Sequence, residues 1–239
     1  MAACRIEVVA STVEDVRAAA AGGADRVEFC THLPSGGLTP GRALVEAGLE
    51  VARSADIGFR VLVRPREGDF VYSDTERKSI IREAEACLAL GVDRVVTGAL
   101  DADGGVDVKL LRALDSAVGL QYIVFHRAFD EADDHDEARR QLLDAGAQTV
   151  LTSGGQPRAI EGLSAIRASV EAGLEVVAGA GVQSEHAKDF VSAGVEAVHA
   201  SCRRPVNLRE GRLFDAGRTE VDTEKVRALV DAVRAVGRP

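Results

Sequence analysis

The chain has 239 residues, 46% of them hydrophobic but only 4% aromatic, so it can bury a sizeable core and must build it mostly from Val, Leu, Ile and Ala. A net charge of −9 argues against a general nucleic-acid or anionic-membrane surface. The absence of an N-terminal apolar signal region and of any apolar run of about 18 residues predicts a cytoplasmic protein that spans no membrane.

In chain order, short β-branched runs alternate with helical segments. Strands are expected at roughly 5–9, 26–30, 59–64, 94–99, 121–127, 149–153, 175–179 and 197–201. Between them the pattern predicts helices at roughly 12–21, 40–54, 74–90, 107–118, 132–145, 157–172 and 184–193, with a last one at 222–236. Four stretches, "AGGADRVEFC" (21–30), "LGVDRVVTGA" (90–99), "AGAQTVLTSG" (145–154) and "AGVEAVHASC" (193–202), repeat one grammar: a helix stopped at Gly, a polar step, then a strand. "SDTE" (73–76) reads as a capping box, and Thr39-Pro40 as an N-cap followed by Pro at the first helical position. Strict alternation implies a parallel sheet, and eight units in this length imply a single-domain (β/α)8 TIM barrel over 1–239. An open doubly wound sheet is disfavoured because no GxGxxG turn follows the first strand.

Alternate strand residues face a barrel's interior. Aligning the repeats turns Glu28, Cys30, Val96, Gly98, Leu151, Ser153, His199 and Ser201 inward. On the odd strands, Glu7, Leu62, Arg64, Val124, His126 and Gly179 face the same way. Glu7, Glu28, Arg64, His126 and His199 thus concentrate ionisable groups toward the face where barrel enzymes work. They form either a closed internal network of ion pairs and hydrogen bonds or a site. Arg127 has the opposite parity, so it either anchors its loop, pairing with Asp130, or joins Arg64 and Arg66 in gripping a small anion. Ser153, Gly154, Gly179, Gly181 and Ser201, at the ends of strands six to eight, are further candidates for binding an anion or phosphate; a plain tight turn is the alternative at the glycines.

The segments "GGADRVEFC", "SGGLTP", "VLVRPREGDFVYSD", "VTGAL", "FHRAFD", "LTSGGQ" and "GAGV" resemble, in order, those of the copper homeostasis CutC family, over about residues 5–203. The resemblance implies a TIM-like barrel that binds copper(I) and takes part in intracellular copper handling. The family's motif positions fall here on Glu7, Glu28, Cys30, Arg64, Arg66, Asp69, His126, Arg127, Asp130 and His199. Two departures stand out: Thr31-His32-Leu33 replaces an Asn-Leu after the cysteine, and Gly179-Ala180-Gly181 replaces three glycines. Beyond about residue 203 the resemblance fades.

Copper(I) prefers soft ligands. Met1 is the one methionine, and the cysteines (Cys4, Cys30, Cys87, Cys202) form no CxxC pair and read as reduced thiols. Only Cys30 is expected at the rim, where His32, His126 or His199 can complete a site; a pair of cysteines from two copies in a homo-oligomer is the other arrangement open to it. Packing alone is the alternative for Cys30. The competing class is an enzyme, with Glu7, Glu28, His126 and His199 as acid–base groups, acting on a small anionic or phosphorylated substrate. A divalent metal held by His126, His199 and Glu28 fits that class too. A Schiff-base mechanism does not, because Lys78, Lys109, Lys188 and Lys225 all fall on predicted helices.

Overall fold

A computed structural model describes residues 4–206 and 217–236; Met1 lies outside them. Eight parallel strands close into one barrel in sequence order: β1 (Arg5–Ala10), β2 (Arg26–Phe29), β3 (Gly58–Leu62), β4 (Arg94–Thr97), β5 (Ile123–Phe125), β6 (Thr149–Thr152), β7 (Glu175–Gly179) and β8 (Ala197–Ala200). Helices α1 (Val13–Gly22), α2 (Arg42–Ser54), α3 (Asp74–Ala89), α4 (Val108–Val118), α5 (His135–Ala145), α6 (Leu163–Glu171), α7 (Ala187–Ser192) and α8 (Thr223–Val236) follow their strands. This is the expected (β/α)8 barrel. Among the described residues no helix is long and apolar enough to cross a membrane.

The expected side-chain parity holds. Cys30, Leu62, Val96, Val124 and Leu151 form a cluster inside the barrel together with Val177 and Ala197. Val8, Val27, Phe29, Phe59 and Phe125, of the other parity, pack outward with the helices in the main core. The four repeat glycines that stop a helix, Gly23, Gly91, Gly146 and Gly194, have φ of 88°, 89°, 90° and 79°, a region a Cβ would disfavour.

Several boundaries differ, each for a local reason. Ser73 and Glu76 make the capping box of α3, but Thr39 does not cap α2, which starts after Gly41. The Thr39 hydroxyl instead donates to the Arg64 carbonyl and accepts from its N–H, at 3.0 and 2.9 Å. β5 stops at Phe125 because the chain enters a 3-10 turn at Arg127–Glu131. α5 starts late because Asp134 caps it, accepting from the N–H groups of Asp136 and Glu137. α6 waits until Leu163 because Gly162 passes so close to Ser153 and Gly154 that a Cβ there would sit 2.0 Å from the Ser153 carbonyl oxygen.

One element has no counterpart in the sequence reading. β9 (Arg203–Pro205) and β10 (Thr219–Val221) pair antiparallel. They are tied to α1 by Asp15, which accepts from Arg203 and from the Val221 N–H. Strands of three residues are too short to carry a period-2 signal.

Candidate functional site

Side-chain parity sets the floor of the site. Two positions before Glu28 and Leu62 stand Arg26 and Arg60, which therefore face the same interior and are buried there. Glu7 lies in register with Arg26 on one side and His199 on the other. Its Oε2 accepts from Arg26 Nε at 2.5 Å and from Arg60 Nη1 at 2.8 Å, and its Oε1 lies 2.8 Å from His199 Nδ1. Arg26 also forks onto Glu196 at 2.8 and 2.7 Å. Burial alone would raise the Glu7 pKa, but the two guanidinium groups and His199 outweigh it and hold the carboxyl well below its usual range.

Glu28 stands one step higher and has no such support. It is 5% exposed, and its Oε2 has no hydrogen-bond partner among the described residues. Burial pushes its pKa up to about 7, with the charge of His199 opposing the rise. For His199, burial disfavours the cation, yet Glu28 and the hydrogen bond that the ring donates to Glu7 outweigh it and raise the pKa. Glu7, Glu28 and His199 bring one ligand atom each to within 4.8 Å of one another.

His126 caps the turn after β5: the Ala128 N–H donates to its Nδ1 at 3.1 Å. The neutral ring therefore carries its proton on Nε2, which has no partner among the described residues. The ring centroid lies 4.9 Å from that of Phe70. Burial, reinforced by the charge of Arg64, lowers the His126 pKa to about 3.

Arg64 ties two long loops together. Its Nη1 donates to the carbonyls of Ser35 (2.7 Å) and Gly37 (3.2 Å), and its Nη2 to that of Gly68 (2.8 Å). The guanidinium lies 4.9 Å from the Phe70 ring centroid. Asp130 locks a third loop. Its carboxylate accepts from the N–H groups of Ser153 (3.0 Å) and Gly155 (3.1 Å), from the Thr152 hydroxyl, and from Arg127 Nε at 2.7 Å.

These elements surround a cavity of about 830 Å³ at the carboxyl ends of the strands. Glu28, His126 and His199 line it, Leu62, Phe70 and Leu151 supply apolar wall, and Asp101, Glu131 and Asp133 lie around it.

The model of the CutC family matches residues 4–204. The chain belongs to the CutC family. A family protein CutC of Xylella fastidiosa (strain Temecula1) is 38% identical over 235 residues, covering 94% of this chain and 87% of its relative. One of Xanthomonas campestris pv. campestris (strain 8004) is 40% identical over 205 residues, 84% of each chain. A solved structure described as the copper homeostasis protein CutC of Streptococcus agalactiae superposes with a TM-score of 0.76 at 28% identity, covering 83% of this chain and 98% of its own. Thiamine phosphate pyrophosphorylase of Pyrococcus furiosus, at 19% identity and a TM-score of 0.62 over 97% of this chain and 96% of its own, shares the fold alone.

This CutC-family barrel brings Glu7, Glu28 and His199 together but keeps His126, Arg64 and Cys30 out of that group. The expected closed network forms around different cations, Arg26 and Arg60 in place of Arg64. The same inward parity, extended two residues toward the start of β2 and β3, would have found both. The three-arginine grip is not assembled. Arg64 is engaged by carbonyls, Arg66 by Glu76, Asp69 and the Val71 carbonyl, and Arg127 by Asp130 and Ser153. Nor is an anion seat free at Ser153 and Gly154: the Ser153 N–H and its neighbour at Gly155 already hold Asp130, and the Gly154 N–H donates to Thr152 Oγ1. Of the other small residues, Gly181 and Ser201 line the cavity with Ala180, while Gly179 makes room for Leu151 and His199.

The expected metal ligands lie apart. Cys30 is 1% exposed, is not part of the cavity wall, and lies beneath Gly37, whose added Cβ would sit 3.3 Å from its Sγ. Burial and the nearby Glu28 raise its thiol pKa, which keeps the proton on sulfur. His32 is on the exposed loop surface, 3.7 Å from Glu67. Cys30, His126 and His199 do not form a ligand cluster among the described residues. Cys30 is the one soft donor among them and is not presented to the cavity, so these donors do not fit copper(I), which prefers soft ligands. For a harder divalent ion, Glu7 is already claimed by two guanidinium groups, leaving Glu28 and His199 alone, too few to hold it.

Proposed function

We propose that this CutC-family protein works through its cavity as an acid–base centre acting on a small polar molecule. The observation that carries this reading is Glu28: a buried carboxyl in the cavity wall, poised near neutral pH, beside an imidazole whose other nitrogen is held by Glu7. A group with a pKa close to the working pH both accepts and releases protons readily. Glu7, locked as a carboxylate by Arg26 and Arg60, orients His199 and favours its cation, so the ring nitrogen left for a bound molecule is Nε2. His126 supplies a neutral N–H donor from the opposite side of the barrel. The four lysines all lie on helices outside the cavity wall, so the reading involves no Schiff base.

Copper homeostasis, the role in the description of the streptococcal relative, is the second reading. Glu7, Glu28 and His199 do come within 4.8 Å of one another, but Arg26 and Arg60 already take Glu7, and the burial of Cys30 weighs against copper(I) handling by thiolate. We place the protein in the cytoplasm, where its four free cysteines stay reduced.

The acid–base reading is tested by NMR titration of carboxyl and imidazole signals in the full chain. Glu28 is expected to titrate at about 7, and its apparent value should shift in a His199→Asn variant. A Glu28 that titrates at its ordinary 4.5 would sink the reading.

A further inference from the structure

The charge that the cavity leaves unmatched narrows what it takes. Three cationic groups line it, Arg64, Arg127 and the imidazole of His199, and all are engaged by the protein itself: three carbonyl oxygens accept from Arg64, Asp130 and Ser153 take Arg127, and Glu7 takes His199 Nδ1. The β6 loop, where barrels often seat a phosphate on backbone N–H groups, already carries an anion of its own, the Asp130 carboxylate on Ser153 and Gly155. An incoming phosphate would have to displace that carboxylate and face its charge.

The carboxylates facing the same space are differently placed. Asp101 turns its Oδ1 to the N–H groups of Asp103 and Gly105. Glu131 and Asp133 are exposed, and none of the three has a cationic partner among the described residues. Glu28 adds a fourth carboxyl, 95% buried in the wall, with an oxygen that nothing described here satisfies. Unpartnered carboxylates gathered at the mouth attract ligands of the opposite sign, and an unpaired acceptor deep in the wall calls for a donor on the ligand. His126 Nε2–H and Arg64 Nε–H are unpaired donors in residues of the same wall, so the ligand also carries an acceptor oxygen.

Building on the acid–base reading of the same cavity, we infer that the ligand is a small, unphosphorylated hydroxy-amine: a protonated nitrogen met by Glu28 and the acidic rim, and a hydroxyl or carbonyl oxygen met by His126.

The test is a protein-observed NMR titration of the full chain with ethanolamine, glycerol and inorganic phosphate at matched ionic strength. Ethanolamine at tens of millimolar should shift the Glu28, His126 and His199 signals saturably, and phosphate should leave them unmoved. Glu28→Gln should weaken the ethanolamine response about tenfold or more. The double variant Glu131→Gln, Asp133→Asn, exposed and so harmless to folding, should weaken it several-fold with a strong salt dependence. Saturation by phosphate, a stronger response to glycerol than to ethanolamine, or no pocket response to ethanolamine overturns the inference. The two readings fail separately. A Glu28 that titrates near 7 in a protein indifferent to ethanolamine retires the ligand class and keeps the acid–base centre; an ordinary Glu28 pKa retires the centre whatever binds.

Discussion

Replacing Glu7 by Gln leaves Arg60 with no ion-pair partner among the described residues and Arg26 with Glu196 alone. A buried pair broken on one side exposes an uncompensated charge, which costs about 3–5 kcal/mol. The expected outcome for Glu7→Gln is an unfolding free energy lowered by that amount, read as a lower urea midpoint at unchanged m-value, with a His199 pKa that falls because the neighbouring negative charge is gone and only a neutral amide oxygen is left to accept its hydrogen bond. Undiminished stability would show that the network is incidental. Cys30 gives a second residue-scale prediction. Its thiol is covered and keeps its proton, so anaerobic competition for copper(I) should give the same affinity in Cys30→Ser as in the native chain. Tight binding lost in the variant would mean that the Gly37 loop opens and that the copper role rests on this thiol.

At the scale of elements, the loops at the mouth behave as one assembly held by a few side chains. Arg64→Ala removes donors to Ser35, Gly37 and Gly68 at once. Thr39 still bridges to the Arg64 backbone, so the loops should loosen without detaching. Amide exchange should speed up at residues 33–38 and 66–71 while β1 to β8 keep their protection; unchanged exchange at both loops would mean that Arg64 does not secure them. This role was not legible in the sequence, because a guanidinium on backbone carbonyls leaves no trace in residue types, and an arginine at a strand end reads equally well as an anion grip. Asp130 was legible only as a partner for Arg127; that it fills the β6 loop depends on where Ser153 and Gly155 point their N–H groups. The capping box at Ser73 and the helix-stopping glycines were legible because each is a short-range rule written in adjacent residues. The inward parity of Glu7, Glu28, Cys30, His126 and His199 followed from the period of the strands, but their partners did not, since the contact between residues 7 and 199 is made by closure of the barrel, where β1 pairs with β8.

For the whole molecule, the buried titratable groups give stability a defined shape against pH. His126 binds its proton at about 3 in the fold against 6.5 ordinarily, so its contribution is lost as pH falls through that window. Glu28 runs the other way: with a folded pKa of about 7 against 4.5, its contribution is lost as pH rises through that interval. Between about 4.5 and 6.5 the unfolded chain binds one more proton at His126 and one fewer at Glu28, and the two slopes cancel. Below 4.5 the His126 slope continues and the depressed Glu7 joins it; above 6.5 Glu28 and then the raised His199 both lose stabilisation. The native protein should therefore show a plateau in unfolding free energy between these limits, falling on either side. His126→Asn, which keeps an acceptor for the Ala128 N–H, should tilt the plateau so that stability rises toward acid by ~1.4 kcal/mol per pH unit. Glu28→Gln should tilt it by a similar amount in the opposite sense. Urea unfolding at half-unit pH steps distinguishes the three curves. Parallel curves for the native protein and both variants would mean that neither group titrates as its burial dictates, and opposite tilts would establish that the cavity wall holds a neutral imidazole and a near-neutral carboxyl at once.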